Sequence, residues 1–289
     1  MNATRPTING QESGDKSGII IGVAAAVMTI STAVVGMRIL SRSLIKQRGW
    51  DDCAAVASLC CIIGCATTMI LMTTYGFGRH EWTLSTEQLV LYDKAFFVSL
   101  SLYFAAIIFI KMTFLLQYYR LLEVSRLRYV LIGCMVVIFL WGLSQTFVAF
   151  LQCIPLEAVW DHKIESKCIK NIAIIWYFNG TFNIVTDFII ITLPIPKIWQ
   201  LQMPRTQKVV LVGVFMLGLL TIAISILRMQ WLNPMPDRTW WNVKPAMWSL
   251  AEITCAILCA CLPVLKPLIV RAKPLFKPLR SRSSQDGTP

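Results

Sequence analysis

Residues 172–193 read IAIIWYFNGTFNIVTDFIIITL. The stretch is long enough to cross a hydrocarbon layer of about 30 Å as a helix rising 1.5 Å per residue. It nevertheless carries Asn179, Asn183 and Asp187 at every fourth position. That spacing marks one face of a helix, so the polarity is aimed at a neighbour and not spread into lipid. The stretch predicts a transmembrane helix with a polar interior stripe, and hence a bundle of such helices around it.

Working outward, six further stretches are long and apolar enough to span, at about 18–40, 53–74, 95–118, 129–151, 208–230 and 246–266. The 289-residue chain is 56% hydrophobic and 15% charged, which is membrane-protein composition. The expected architecture is an all-α membrane protein, a seven-transmembrane helix bundle. Its parts would be a leader at 1–17, a membrane domain at 18–270 and a basic tail at 271–289. The first span follows a polar leader and has no small-residue cleavage site, so it is expected to be a retained anchor.

Lys and Arg are unevenly divided between the two sets of loops, eight on the leader's side and sixteen on the other. That bias predicts an N-terminus outside or in the lumen and a cytoplasmic C-terminus. The net charge of +12 flanks spans on the side of anionic lipid, which favours a lipid bilayer over nucleic acid as partner. Most of the ten Cys lie inside spans, where a thiol packs as a small apolar group. Cys153 and Cys168 share a loop on the side assigned to the oxidising compartment, where a disulfide is expected. Asn2 heads a glycosylation sequon on that same side, whereas the sequon at Asn179 lies within a span, beyond the reach of a lumenal enzyme.

Ionisable residues inside spans are costly and mark candidate sites. They are Lys111, Asp187, Arg228 and Glu252. Counted along their helices, Lys111 and Asp187 lie about 24 and 22 Å from the outer ends of their spans, level enough to pair. Arg228 and Glu252 would form a second, outer pair. Asn179 and Asn183 would extend the polar face between the two. Either pair could serve as a packing clamp or as the polar edge of a pocket. Trp240, Trp241 and Trp248, beside Asp237 and Arg238, gather at the outer mouth as an interfacial belt or an aromatic lid. His80 and His162 are too few for a His-rich metal site, so no metal and no cofactor are expected. Asp51-Asp52 read as a helix cap, since Asp is favoured there by hydrogen bonding and by the helix dipole.

Taken in order, Gly49-Trp50-Asp51-Asp52, Gly76-Phe77-Gly78-Arg79-His80, Lys111, Cys153-Ile154-Pro155 with Trp160 and Cys168, Asn183 with Asp187, Leu193-Pro194-Ile195-Pro196, Gly218 with Arg228, Trp248 with Glu252, and Leu262-Pro263 form a specific set. The set resembles the fungal rhodopsin-like integral membrane proteins, the group containing the satratoxin-cluster membrane protein. The resemblance implies seven helices, a Cys153–Cys168 disulfide and residence in secondary-metabolite gene clusters. It implies no assigned reaction. The seventh span has no mid-membrane Lys for a retinal Schiff base, only Lys266 at its end. Tyr119-Arg120 lacks the acidic neighbour of the usual G-protein-coupled pattern.

Two functions follow. The bundle could bind a small lipophilic metabolite as a receptor-like or accessory component of a biosynthetic pathway, alongside pathway enzymes in the same membrane. Alternatively it could be a membrane-embedded cyclase or isomerase of a prenylated or polyketide intermediate, with Asp187 or Glu252 as general acid. Transport would need a continuous polar path, and one stripe on one helix is not a path. The expected location is a plasma membrane or endomembrane.

Overall fold

A computed structural model describes residues 15–121, 125–161, 164, 167–169, 171–195, 205–231 and 237–265. Asn2, His162, Lys266, the 271–289 tail and most of the 1–17 leader lie outside the described residues. Seven helices long and apolar enough to cross a membrane account for most of the chain: α1 (Ser17–Ile45), α2 (Trp50–Thr74), α3 (Thr86–Leu121), α4 (Ser125–Leu151), α5 (Ile172–Thr192), α6 (Arg205–Met229) and α7. The last is assembled from one turn, Arg238–Trp241, the helix Val243–Cys261 and a 3-10 turn, Leu262–Leu265. The protein is a multi-pass integral membrane protein.

Two helix starts differ from those that hydropathy predicts, each for a local reason. α3 begins at Thr86 rather than near 95. Ser85 and Gln88 close a reciprocal cap there: the Gln88 N–H donates to Ser85 Oγ at 3.3 Å and the Ser85 N–H to Gln88 Oε1 at 3.0 Å. α7 begins at Arg238 rather than 246 because Pro245 falls in the first turn after Val243, where a missing N–H costs nothing. The earlier start sets Glu252 about 21 Å along α7, well inside the bundle and not near its outer end.

α1, α2, α3 and α7 share one apolar core, in which Ala24, Ile62, Ala66, Ala106, Ile253 and Ile257 have no or almost no exposure. α4 joins through Leu131 and Ile138, which pack on Leu115 of α3 and Ile190 of α5. Small residues permit the close crossings: a Cβ on Gly142 would meet Ile108, and one on Gly218 would meet Ile191.

Between α4 and α5, β1 (Cys153–Ile154) pairs antiparallel with β2 (Lys167–Cys168) and sets Cys153 opposite Cys168. The two form the expected disulfide. The other eight cysteines, Cys53, Cys60, Cys61, Cys65, Cys134, Cys255, Cys259 and Cys261, are free.

At the end of the bundle away from that loop, a cluster appears that the apolar pattern hides. Arg38 of α1 is fully buried. It donates to Asp51 at 2.5 Å, Asp52 at 2.9 Å, Gln117 Oε1 at 3.0 Å and the Ala260 carbonyl at 2.9 Å, so α1 grips α2, α3 and α7 at once. Arg42 and Arg120 also reach Asp51, at 3.1 and 3.4 Å. The cap expected at Asp51-Asp52 is present in part: Gly49 is the N-cap residue, and Asp52 Oδ2 accepts its N–H at 3.1 Å. The larger role of both carboxylates is to neutralise the arginines. Arg120 thus finds its acid on α2 and not in its own sequence neighbour.

Two expected outcomes follow. Peptide mapping without reduction should recover Cys153 linked to Cys168, and Cys153→Ser should destabilise the fold by about 3 kcal/mol, the scale for a loop of this length; two freely alkylated thiols would contradict the pairing. Arg38→Leu takes from Asp52 its partner at 2.9 Å and leaves Asp51 to Arg42 and Arg120, and should cost about 3 kcal/mol in thermal denaturation, against a much smaller loss for an exposed arginine such as Arg79.

Candidate functional site

The polar stripe of α5 faces α3, α6 and α7, as its spacing requires. Lys111 Nζ lies 3.0 Å from Asp187 Oδ1 and donates to the Asn183 carbonyl at 2.9 Å and to Thr186 Oγ1 at 2.5 Å. The outer pair forms as well, with Arg228 Nη1 3.4 Å from Glu252 Oε2. Both pairs lie largely inside the bundle: Lys111 and Glu252 are buried, and Arg228 and Asp187 are partly buried.

The two pairs belong to one network. Asn183 Nδ2 donates to Glu252 Oε1 at 2.8 Å, while the same residue's carbonyl holds Lys111. Glu252 also accepts from the Ser225 hydroxyl at 2.5 Å and from the Tyr103 hydroxyl at 2.6 Å, and Tyr103 in turn accepts from Arg228. Glu252 on α7 therefore joins α3, α5 and α6 through one carboxylate. The sequence pattern identifies the charges but misses Tyr103 and Ser225. A tyrosine and a serine in apolar spans are ordinary, and only the convergence of four helices singles these two out.

This network separates two cavities. Below it, a small space of about 30 Å³ is lined in part by Lys111, Asn183, Asp187 and Glu252. Above it, toward the disulfide loop, lies a cavity of about 300 Å³. Its walls are mostly apolar, with Met69, Met72, Phe96, Phe97, Phe104 and Trp176 among them, and Asn179, Tyr103 and Arg228 enter from the side of the network. Asn179 is buried, and its side chain makes no hydrogen bond among the described residues. Its sequon therefore lies inside the bundle.

The cavity is roofed by the α2–α3 loop folded onto the start of α7. Gly76 and Gly78 both have positive φ, which lets the chain reverse within Gly76-Phe77-Gly78 and drive Phe77 into the core against Tyr92. A Cβ at Gly76 would strike Leu84. The Gly78 N–H then donates to the Thr239 carbonyl at 3.2 Å. His80 stacks between Trp82 and Trp240, both at 4.3 Å, and its Nδ1 lies 2.6 Å from Asp237. Arg238 meets Glu81 at 3.4 Å. Trp240 is therefore part of this loop cluster and lines neither cavity. Trp241 packs on Trp231, a lining residue, at 5.4 Å. Trp248 is half-buried and lines neither cavity, so the structure does not join it to the network.

The arrangement bears on chemistry. Three hydrogen bonds and the Arg228 guanidinium engage the Glu252 carboxylate. Asp187 is held against Lys111. Each acid thus stands beside a cation, Asp187 beside Lys111 and Glu252 beside Arg228.

A model of the fungal rhodopsin domain matches residues 37–271. A SAT4 family membrane protein of Emericella nidulans is 29% identical over 86% of this chain and 62% of its own length. Satratoxin biosynthesis SC1 cluster protein 4 of Stachybotrys chartarum is 27% identical over 56% of this chain and 59% of its own. Receptor GIN3 of Arthrobotrys oligospora is 22% identical over 93% of this chain and 67% of its own. Other relatives are proteins of fungal biosynthesis gene clusters. The alignments thus span less than two thirds of the SAT4 family and satratoxin relatives' length, and no solved structure matches the chain. With the domain match covering all seven helices wholly or in part, the chain belongs to the fungal rhodopsin domain family.

Proposed function

We propose that this bundle binds a small lipophilic metabolite in the upper cavity and serves a fungal biosynthetic pathway in a receptor-like or accessory role. The observation that carries this reading is the cavity of about 300 Å³, apolar on its walls and polar at its base. Ligand sites begin at about this size and combine apolar lining with a few placed polar groups. The relatives from biosynthesis clusters and the one named as a receptor support the setting, and the alternation of basic loops supports an orientation with the roofed end outside the cytoplasm.

The enzyme reading, with Asp187 or Glu252 as general acid, is weaker on the same geometry. Each acid is engaged by cationic or hydroxyl donors, and Glu252 in particular is a four-helix joint. A group that holds helices together is a poor choice for one that must exchange a proton in every turnover.

The test is a thermal-shift screen of the purified chain in lipid nanodiscs against an extract of fungal lipophilic metabolites. A hit should raise the midpoint by several degrees in the wild type and by much less in Leu100→Trp, which fills the cavity. A full extract that shifts nothing would defeat the reading. In microsomes given the same extract, Asp187→Asn and Glu252→Gln should leave product profiles unchanged. Loss of one product in either variant would restore the enzyme alternative.

A further inference from the structure

The lining of the upper cavity specifies more than lipophilicity. Three ionisable residues face it, Asp93, Arg228 and Arg238. Both cations are already compensated, Arg228 by Glu252 at 3.4 Å and Arg238 by Glu81 at 3.4 Å and Asp93 at 3.8 Å. An anionic ligand would have to break one of these pairs and enter beside Asp93. A cationic one would meet two arginines. At the buried base of the cavity either charge would be left without a partner, and an unpaired buried charge is far more costly than a neutral polar group.

Two uncommitted hydrogen-bonding groups lie at the base, apart from the Gln152 amide at the loop end. The Asn179 amide is buried at 6% exposure, lines the cavity and has no partner among the described residues. Arg228, which also lines it, keeps a buried Nε–H without a partner. The neighbouring hydroxyls are spent: Tyr103 donates to Glu252 and Ser249 donates to the Pro245 carbonyl. What remains at the base is the Asn179 amide, which donates from Nδ2 and accepts at Oδ1, and the Arg228 Nε–H, so that N–H donors outnumber acceptor atoms facing an aromatic and aliphatic chamber.

We infer that the cavity selects an uncharged, largely hydrophobic molecule bearing a carbonyl-type acceptor (ketone, ester, lactone or amide), and that Asn179 is the residue that recognises this acceptor, with Arg228 beside it. The inference rests on the ligand-site reading of the cavity. It predicts a chemical preference that a merely greasy void would lack, because an apolar space binds hydrocarbon and ketone by area alone. A buried donor gains a hydrogen bond from the ketone and stays unsatisfied beside the hydrocarbon.

The test uses the full chain in lipid nanodiscs and three probes of matched shape, 2-acetylnaphthalene, 2-ethylnaphthalene and 2-naphthoate. Binding is measured by equilibrium dialysis with empty nanodiscs subtracting partition into lipid. The wild type should prefer the ketone to the hydrocarbon by on the order of fivefold, the scale of one net hydrogen bond, and should bind the anion most weakly. Asn179→Leu, which keeps the side chain's bulk, should bring the ketone down to the hydrocarbon's level. Two results overturn the inference while leaving the cavity a ligand site: ketone and hydrocarbon binding equally with both blocked by Ala246→Phe, or the anion binding tightest. The preference order in the wild type decides this even if the Asn179 variant does not fold. If Ala246→Phe changes the binding of no probe, the ligand-site reading fails and the inference with it.

Discussion

Within a bilayer a buried charge has no water to fall back on, so each one must be neutralised by a group on another helix. Glu252 is where this constraint acts most strongly in the protein. One carboxylate on α7 takes hydrogen bonds from α3, α5 and α6 and stands beside Arg228. Because Asn183 links it to Lys111 and Asp187, the joint extends through a second ion pair without interruption. The upper cavity exists because this layer is polar and fixed. Its base cannot collapse into an apolar contact without stranding a charge.

A second joint lies at the far end, where Arg38 gathers α2, α3 and α7 onto α1. Between the two joints the packing is apolar and close, with glycines and alanines at the crossings. The bundle is thus pinned at two levels. The roofed end, held by stacked rings and by hydrogen bonds between loops, is tied through surface-accessible groups such as His80 and Arg238. The two joints rest on buried charge, and this end on stacked rings and loop hydrogen bonds.

Much of this is legible in the chain itself. Seven apolar stretches, the four-residue spacing on α5 and the level depths of Lys111 and Asp187 follow from helix geometry alone. The disulfide follows from two cysteines in one loop. Other features depend on local details that hydropathy averages away. The early start of α3 is written in Ser85 and Gln88, and that of α7 is marked by Pro245. Arg38 looks like a flanking charge because it follows an apolar run, yet α1 continues past it to Ile45 and carries it inside. Tyr103 and Ser225 give no signal in sequence, because their role comes from where α3 and α6 meet α7. Trp248 gives a signal but joins neither cavity, since its neighbourhood of tryptophans in sequence is not one in space.

The most direct test of the Glu252 joint is a double-mutant cycle on thermal stability in nanodiscs, with Arg228→Met, Glu252→Met and both together. Each single variant leaves a buried charge unpaired, so the loss in the double variant should fall short of the summed single losses by about 2 kcal/mol or more. Strictly additive losses would mean that the two residues do not sense each other, and would contradict the account.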